Sequence, residues 1–348
     1  RCNNSLKNMK QINIFALTIF SALLLSVLIF DYPKKFISRL IFSHELSLLT
    51  HSVFYKINKE TPFDMKKKEN QKKSLVVLNN YTYDFFRPPA LARLNNLDDG
   101  VSWKMLHGSI ACDGATDIFL RLAESTNTRV AMIFLYNNDI ISPHTLSFVD
   151  LDDSIGLNKS VKLSHTINYL HNNSKLNKMY LFDPSYNYFP INKKSQFVNV
   201  DYMLKNKIEF SNYGSLDSDN IRLNLLQNQK QAFIANRAYN EYSIISKLSL
   251  KIIKVVPTNY LRLLLKFGIF INPDLDDDYK KLLYARLEHV LLNYDDALIN
   301  YSKITQKNSY YDSAQYWYER IKSSQSVLKT YEDIFSPLTN LKFSGNLK

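Results

Sequence analysis

An uncharged run near the start of the chain limits the folds open to it more than any other feature. Residues 11–30 (QINIFALTIFSALLLSVLIF) contain no charged side chain and lie between Lys10 and Asp31. A helix needs about 20 such residues to cross the hydrocarbon core of a bilayer. The run therefore predicts a membrane-spanning helix. A cleaved signal peptide and a buried core helix are the alternatives, but a signal peptide usually has a shorter apolar region and a small-residue cleavage site after it.

Basic residues flank this run almost equally, with three before it and three after it: Arg1, Lys7, Lys10, Lys34, Lys35 and Arg39. The excess of positive charge that usually marks the cytoplasmic side therefore leaves the orientation open. We expect a single-pass protein of the bacterial inner membrane. Its N-terminus would lie inside and its remaining part outside the cytoplasm.

Length and composition exclude several classes of protein. The chain has 348 residues, 45% of them hydrophobic and 13% aromatic, which predicts about two domains with real cores and excludes intrinsic disorder. Only Cys2 and Cys112 are cysteines, which excludes a disulfide scaffold and predicts a free thiol at Cys112.

The net charge of +12 does not by itself indicate a nucleic-acid partner. The chain is rich in Lys, Asn and Ile throughout, as a general compositional bias would produce. Its one dense basic run, within residues 66–73, is typical of a solvated linker rather than of a phosphate-binding patch. We expect no nucleic-acid partner.

The hydrophobic period changes near Val200. Before that point, short β-rich runs predict strands at 74–78, 129–136, 144–149 and 178–183, and an apolar stripe predicts a helix at 113–125. After it, apolar residues recur at three- and four-residue steps in residues 221–242, 260–270, 279–293, 295–305 and 310–323, which predicts helices. The resulting organisation is an anchor at 1–31, a juxtamembrane helix and linker at 32–73, an α+β domain at 74–200 and a helical domain at 201–348.

Three residues of the predicted α+β domain stand where cysteine chemistry would need them. Cys112 begins a predicted helix, and a helix N-terminus with an imidazole nearby favours the nucleophilic thiolate. His144 begins a strand and can supply that imidazole. Asp183 ends another strand, where its carboxylate can hold the imidazole in one orientation.

These residues resemble transglutaminase-like proteins, which are circularly permuted relatives of papain-type cysteine peptidases. The segment 108–123 (GSIACDGATDIFLRLA) is similar to the nucleophile helix of that family, and residues 130–136 resemble the strand that leads to its histidine. His144 matches the general base, and Asp183-Pro184-Ser185 resembles the closing Asp-Pro-Thr. The resemblance covers residues 74–190. It implies an α+β, permuted papain-like core and a Cys112, His144, Asp183 triad.

Other residues compete for the second and third positions of the triad. The spacing from His144 to Asp183 is long because residues 152–177 look inserted, which makes Asp150, Asp152 and Asp153 rivals of Asp183. His107 and His165 are rivals of His144. Each triad residue also has an ordinary interpretation: a core cysteine, a loop histidine and a turn-forming Asp-Pro.

An acyl-transfer reaction also needs hydrogen-bond donors for its oxyanion. The backbone N–H of Cys112 is one candidate, and the indole of Trp103 is a weaker one that could instead line the cleft or simply pack. The chain has no phosphate-binding glycine loop, no paired metal-ligand spacing and no Gly-x-Ser-x-Gly elbow. We therefore expect neither a metal nor a cofactor.

The last helices resemble a tetratricopeptide repeat over residues 279–323. Tyr284 and Tyr318 are 34 residues apart (318 − 284), with Ala297 on the helix between them. Because only one repeat and part of a second are visible, a plain helical hairpin packed on the preceding domain is equally compatible. The many aromatic residues of this region could anchor a protein partner.

These features together predict a membrane-anchored cysteine peptidase, amidase or acyltransferase that acts on a peptide or protein through a thioester on Cys112. The alternative is an inactive binding or assembly module in envelope or surface-polysaccharide biogenesis.

Overall fold

The computed structural model describes residues 29–43, 46–86, 100–108, 112–126, 128–137, 140–151, 176–185, 187–189, 197–202, 232–235, 256 and 258–325. These residues are mostly helical and include one small antiparallel sheet. The helices are α1 (Asp31–Ile41), α2 (Leu48–Glu60), α3 (Gln71–Phe85), α4 (Val101–His107), α5 (Cys112–Glu124), α6 (Thr258–Ile271), α7 (Asp277–Val290), α8 (Tyr294–Ser302) and α9 (Tyr311–Gln325). The strands are β1 (Arg129–Asn137), β2 (Ile140–Asp150), β3 (Met179–Phe182) and β4 (Ala232–Ala235).

The predicted fold class, an α+β transglutaminase-like core behind a transmembrane helix, is wrong for the described residues, because they are mostly helical. The run at 74–78 shows the physical reason. It lies in α3 rather than in a strand, and Ser74, Leu75, Val76, Val77 and Leu78 are all buried there. A short apolar run fits a strand and a helix covered on all sides equally well, so its periodicity could not decide between them.

The predicted membrane anchor also requires correction. Across the part of the chain that the structure describes, no helix combines the length and the apolar character needed to cross a bilayer. The predicted single-pass localisation in the bacterial inner membrane is contradicted by this finding. Residues 1–28, which include most of the 11–30 run, lie outside the described residues.

The sheet has the strand order β3-β2-β1-β4, with every neighbouring pair antiparallel. The strands predicted at 129–136, 144–149 and 178–183 are confirmed as β1, β2 and β3. Strand β4 falls inside the range 221–242, for which the sequence predicted a helix. Its Ile234 lies opposite Ile133 of β1, so a strand from the predicted helical domain completes the sheet of the preceding one.

The C-terminal helices share their core with the helices that precede the sheet. Helices α7 and α8 form a hairpin, α9 packs on α8, and α7 contacts α4. The Tyr81 hydroxyl of α3 donates a hydrogen bond to the backbone oxygen of Val290 at 2.7 Å, in a buried position. Packing of this kind matches the interpretation of residues 279–323 as a helical hairpin on the rest of the chain. The tetratricopeptide resemblance stays a prediction.

Helices α1 and α6 pack closely against each other at Gly268. A Cβ at this position would lie 3.0 Å from Ile41 Cγ2 and 2.9 Å from Phe42 Cε2, so any larger residue would push the two helices apart. Their outer faces expose large apolar side chains, among them Tyr32, Phe36, Tyr260, Leu263 and Phe270.

Candidate active site

Helix α5 is the element on which the candidate site is built. Every residue from Gly114 to Ala123 is buried, and the helix contacts α3, α4, β1 and β2. Its apolar stripe includes Phe119, whose ring lies 5.2 Å from the ring of Phe182 in β3. The small residues Gly114 and Ala115 follow Cys112 closely and are buried as well. The first turn of α5 is therefore fixed by packing on several sides.

Cys112 is the first residue of α5 and is partly exposed. The first backbone N–H groups of a helix have no partner within the helix, and they give its N-terminus a partial positive charge. Such a position stabilises a thiolate and can also hold a developing oxyanion.

The start of α5 is tied to strand β2 beside His144. The Thr116 hydroxyl donates a hydrogen bond of 3.2 Å to the backbone oxygen of Thr145, and both residues are buried. Thr116 follows Cys112 by one helical turn, which is about 6 Å along the axis. The backbone of His144 pairs with Leu135 in β1. The structure thus brings the Cys112 turn and the His144 backbone to the same part of the sheet, while the His144 side chain lies outside the described atoms.

Asp183 follows β3 at the point where this strand leaves β2. The last paired residues of the two strands are Phe182 and Ser147, and Asp183 pairs instead with Tyr188 in an isolated antiparallel bridge. Ser147 is three residues from His144 along β2, so the end of β3 adjoins the part of β2 that contains His144.

Several hydrogen bonds fix the Asp183 backbone and carboxylate. Its N–H donates to Tyr188 O at 2.8 Å, and its carbonyl accepts from Tyr188 N at 2.9 Å. Its Oδ1 accepts from the N–H of Ser185 at 3.1 Å, as is typical of an Asx turn. The carboxylate is fully buried. Asp183 thus occupies a single, well-defined place.

The loop after Asp183 is docked onto α3 by two asparagines. Asn187 adopts the left-handed conformation, with φ of 52°, which asparagine tolerates better than most residues. Its Oδ1 accepts a hydrogen bond of 2.9 Å from Nδ2 of Asn79, a fully buried residue of α3. The sequence analysis missed this contact, although the turn-forming asparagine after Asp183-Pro184 was a usable signal.

The other candidate residues occupy different surroundings. Trp103 of α4 is buried, with its ring 4.4 Å from that of Phe42, and its role as an oxyanion donor stays a prediction. His107 lies 3.2 Å from the Tyr279 hydroxyl of α7 through Nδ1. Burial and the nearby Arg286 lower its pKa to about 4. His107 is thus held neutral and committed to a contact with the C-terminal helices.

The other four candidates for the second and third triad positions have side chains outside the described atoms. Asp150 ends β2, opposite Arg129 and Met179, and its side chain lies outside the described atoms. Asp152, Asp153 and His165 lie outside the described residues altogether.

Comparison with known proteins adds no relative to this picture: no family model, curated protein or solved structure matches the chain significantly. The transglutaminase-like resemblance therefore rests on the motif residues alone.

Proposed function

We propose that the chain is a cysteine-dependent amidase-type hydrolase or acyltransferase in which Cys112 is the nucleophile. The observation that carries this proposal is the placement of a partly exposed thiol at the first residue of a buried helix. That helix is hydrogen-bonded through Thr116 to the strand that contains His144. A thiol that served only to fill the core would be expected inside the buried stretch 114–123 rather than ahead of it.

The reaction follows from the roles of the three residues. The Cys112 thiolate attacks a carboxamide carbon of a peptide or protein, and the backbone N–H groups at the start of α5 stabilise the oxyanion. His144, protonated by the thiol, gives that proton to the departing amine, which leaves a thioester. Asp183 orients the imidazole and stabilises its charged form. Water or a second amine then attacks the thioester, and His144 takes its proton and returns it to the departing Cys112 sulfur. The acyl group leaves as a carboxylic acid or as a new amide.

Thiol labelling tests the proposal directly. We expect iodoacetamide to modify Cys112 of the wild type faster at pH 6 than an unactivated cysteine, because the imidazole maintains the thiolate. His144→Ala should slow this labelling by at least tenfold. His165→Ala is the matched control, since it removes the rival histidine, and it should label like the wild type. Equal labelling rates in the wild type and His144→Ala would contradict an activated thiolate and favour the binding-module alternative.

A second variant tests whether the Thr116 contact positions the nucleophile. Thr116→Val keeps the side-chain shape but removes the hydrogen bond to Thr145 O, at a cost of about 1 kcal/mol in the free energy of unfolding. We expect slower Cys112 labelling and a shifted pH profile. Thr82→Val is the matched control: Thr82 is also buried and donates to Leu78 O at 2.8 Å within α3. If both variants lose a similar free energy of unfolding but only Thr116→Val slows Cys112 labelling, Thr116 positions the nucleophile. Equal slowing in both variants would mean general destabilisation.

A further inference from the structure

A cavity separate from the Cys112 site lies where helices α2 and α6 meet the turn between α7 and α8. Its volume is about 510 Å³, which suits a small organic molecule. The walls carry three cationic side chains, Lys56, Lys59 and Arg262, and none of the described residues that line the cavity is acidic. Such a lining favours an anion.

The cations of this pocket differ in how far their charge is already compensated. Arg262 Nε donates to Glu288 Oε1 at 2.7 Å, and its Nη2 pairs with Asp296, so these carboxylates hold the guanidinium in place. Lys56 Nζ lies 3.5 Å from Glu60 Oε1. No ion pair joins Lys59 to any described residue. Lys59 therefore has the charge that is most available to a ligand.

Further positive potential comes from the backbone and from a neighbouring lysine. Helix α6 begins at Thr258, and both Thr258 and Asn259 line the pocket. The partial positive charge of that helix start adds to the side-chain charges. Lys66 Nζ lies 4.3 Å from the centre of the Tyr55 ring, and Tyr55 is part of the wall. One lysine of the basic run at 66–73 thus contacts a residue of the pocket wall.

The uncharged polar groups of the pocket indicate what accompanies the anionic group. Asn58, Asn259 and Asn293 contribute side-chain amides, and Thr258 and Tyr55 carry hydroxyls. Asn58 Oδ1 already accepts a hydrogen bond from the N–H of Met65 at 2.7 Å, and Asn293 Nδ2 donates to Glu288 Oε2 at 2.9 Å. Asn58 Nδ2, Asn293 Oδ1 and the Asn259 amide are the groups left for a ligand. Leu291 is the one aliphatic residue among the described residues that line this cavity. Groups that both donate and accept hydrogen bonds suit a hydroxyl-rich molecule better than an apolar one.

We propose that this cavity binds a small phosphorylated polyol, such as a sugar phosphate. The phosphate would lie near Lys56, Lys59 and the start of α6, and the asparagine amides would bind the hydroxyl groups. Charged hydrogen bonds of this kind are stronger than neutral ones, so the lysines should supply most of the affinity.

Calorimetric titration of the full chain tests the proposal with three probes: glucose 6-phosphate, inorganic phosphate and glucose. Glucose 6-phosphate should bind most tightly, inorganic phosphate more weakly and glucose without measurable heat. Added salt should weaken the binding of the phosphorylated probe, because exposed charges are screened. Binding of inorganic phosphate as tight as that of glucose 6-phosphate would overturn the polyol part of the proposal. An absence of binding by both phosphates would overturn all of it.

Variants locate the site. Lys56→Gln together with Lys59→Gln should raise the dissociation constant for glucose 6-phosphate by at least tenfold, and Lys59→Gln alone should account for most of that rise. Lys59 is exposed and Lys56 is partly buried, so we expect the double variant to keep the fold, and a thermal melt verifies this. Lys307→Gln, at an exposed lysine outside the pocket, is the control. Unchanged affinity in the double variant, or an equal loss in Lys307→Gln, would exclude this cavity.

Discussion

Arg286 of α7 is fully buried, and its guanidinium is satisfied mainly by backbone oxygens. Its Nε donates to Leu106 O at 3.2 Å, and its Nη2 donates to Phe85 O at 3.1 Å and Met105 O at 3.2 Å. Its Cζ lies 4.0 Å from the centre of the Trp317 ring. No carboxylate pairs with it within the described residues. The ends of α3 and α4 thus depend on a single side chain for three hydrogen bonds.

Gly108, which ends α4, is the residue that makes room for this guanidinium. Its φ is 75°, a conformation that costs a residue with a Cβ about 1 kcal/mol or more. A Cβ there would also lie only 2.6 Å from Arg286 Cζ. We therefore expect Gly108→Ala to lower the free energy of unfolding by about 2 to 4 kcal/mol, from strain and overpacking together. Urea denaturation followed by circular dichroism measures this.

Gly100 provides the control at the other end of the same helix. Its φ is −61°, which any residue adopts, and a Cβ there would make an ordinary contact of 3.9 Å with Trp103 Cδ1. Because Gly100 is the N-cap residue of α4, Gly100→Ala replaces a favourable N-cap residue and should lower the free energy of unfolding by less than about 1 kcal/mol. Similar urea midpoints for the two variants would show that Arg286 moves aside easily.

We predict that the protein loses stability in mild acid because of His289, which contacts Arg286 in the core. Its Nδ1 accepts a hydrogen bond from Arg286 Nη1 at 3.2 Å. Burial and the charges of Arg286 and Arg320 lower its pKa well below 6.5. Below pH 6.5, His289 therefore binds a proton in the unfolded chain but not in the folded chain. The free energy of unfolding falls as the pH drops through this range. Between pH 7 and pH 5, His289 should lower the free energy of unfolding by up to about 2 kcal/mol, the limit for a side chain that has its usual pKa of about 6.5 when unfolded and stays neutral when folded.

The pH dependence of urea unfolding between pH 7 and pH 5 measures this loss. His51 and His107, whose pKa values burial lowers to about 4, act in the same direction. His289→Gln should therefore reduce the slope of stability against pH without removing it. An NMR titration in which the His289 ring protonates near pH 6.5 in the folded protein would contradict the prediction.

At the scale of elements, the parts of the candidate site with a clear local signal were predictable from sequence. The amphipathic stripe of α5 and the β-rich runs of β1 and β2 placed Cys112 and His144 on the correct elements. Asp183 was placed at the end of a strand because Pro184 stops it. In each case the residues that decide the structure are neighbours in the chain, so the pattern carries the information.

Elements whose structure depends on distant residues were predicted wrongly or missed. Strand β4 exists through its pairing with β1, about 100 residues earlier in the chain. The apolar run in α3 is helical because other helices surround it, among them α5. The sequence around Arg286 does not distinguish it from a solvent-exposed arginine, because the three carbonyls that bind it are far away in sequence. No local pattern could have predicted these contacts.

At the scale of the whole molecule, the same contacts make the C-terminal helices a part of the fold. Removal of the chain from Asn272 onward deletes the donor for Phe85 O, Met105 O and Leu106 O and the acceptor of the Tyr81 hydroxyl. These polar groups would exchange their protein partners for water, and the apolar residues of α3 and α4 that share a core with α7, α8 and α9 would become exposed. Each square ångström of apolar surface so exposed costs about 25 cal/mol, against a total stability of about 5 to 15 kcal/mol for a typical domain.

We therefore expect the chain truncated at Ile271 to lose its cooperative fold rather than simply a binding surface. Thermal melts by circular dichroism and limited trypsin digestion measure this: the truncated chain should show no sharp transition and rapid cleavage within α3 and α5. Because we expect α7 to be required for folding, surface variants are the better test of the predicted protein partner. Ile299→Asp with Tyr316→Ser, at exposed positions of α8 and α9, should keep the melting transition and weaken a partner's binding. A cooperative melt in the truncated chain would show instead that residues 1–271 fold on their own, and that the buried contacts of Arg286 and Tyr81 contribute little to stability.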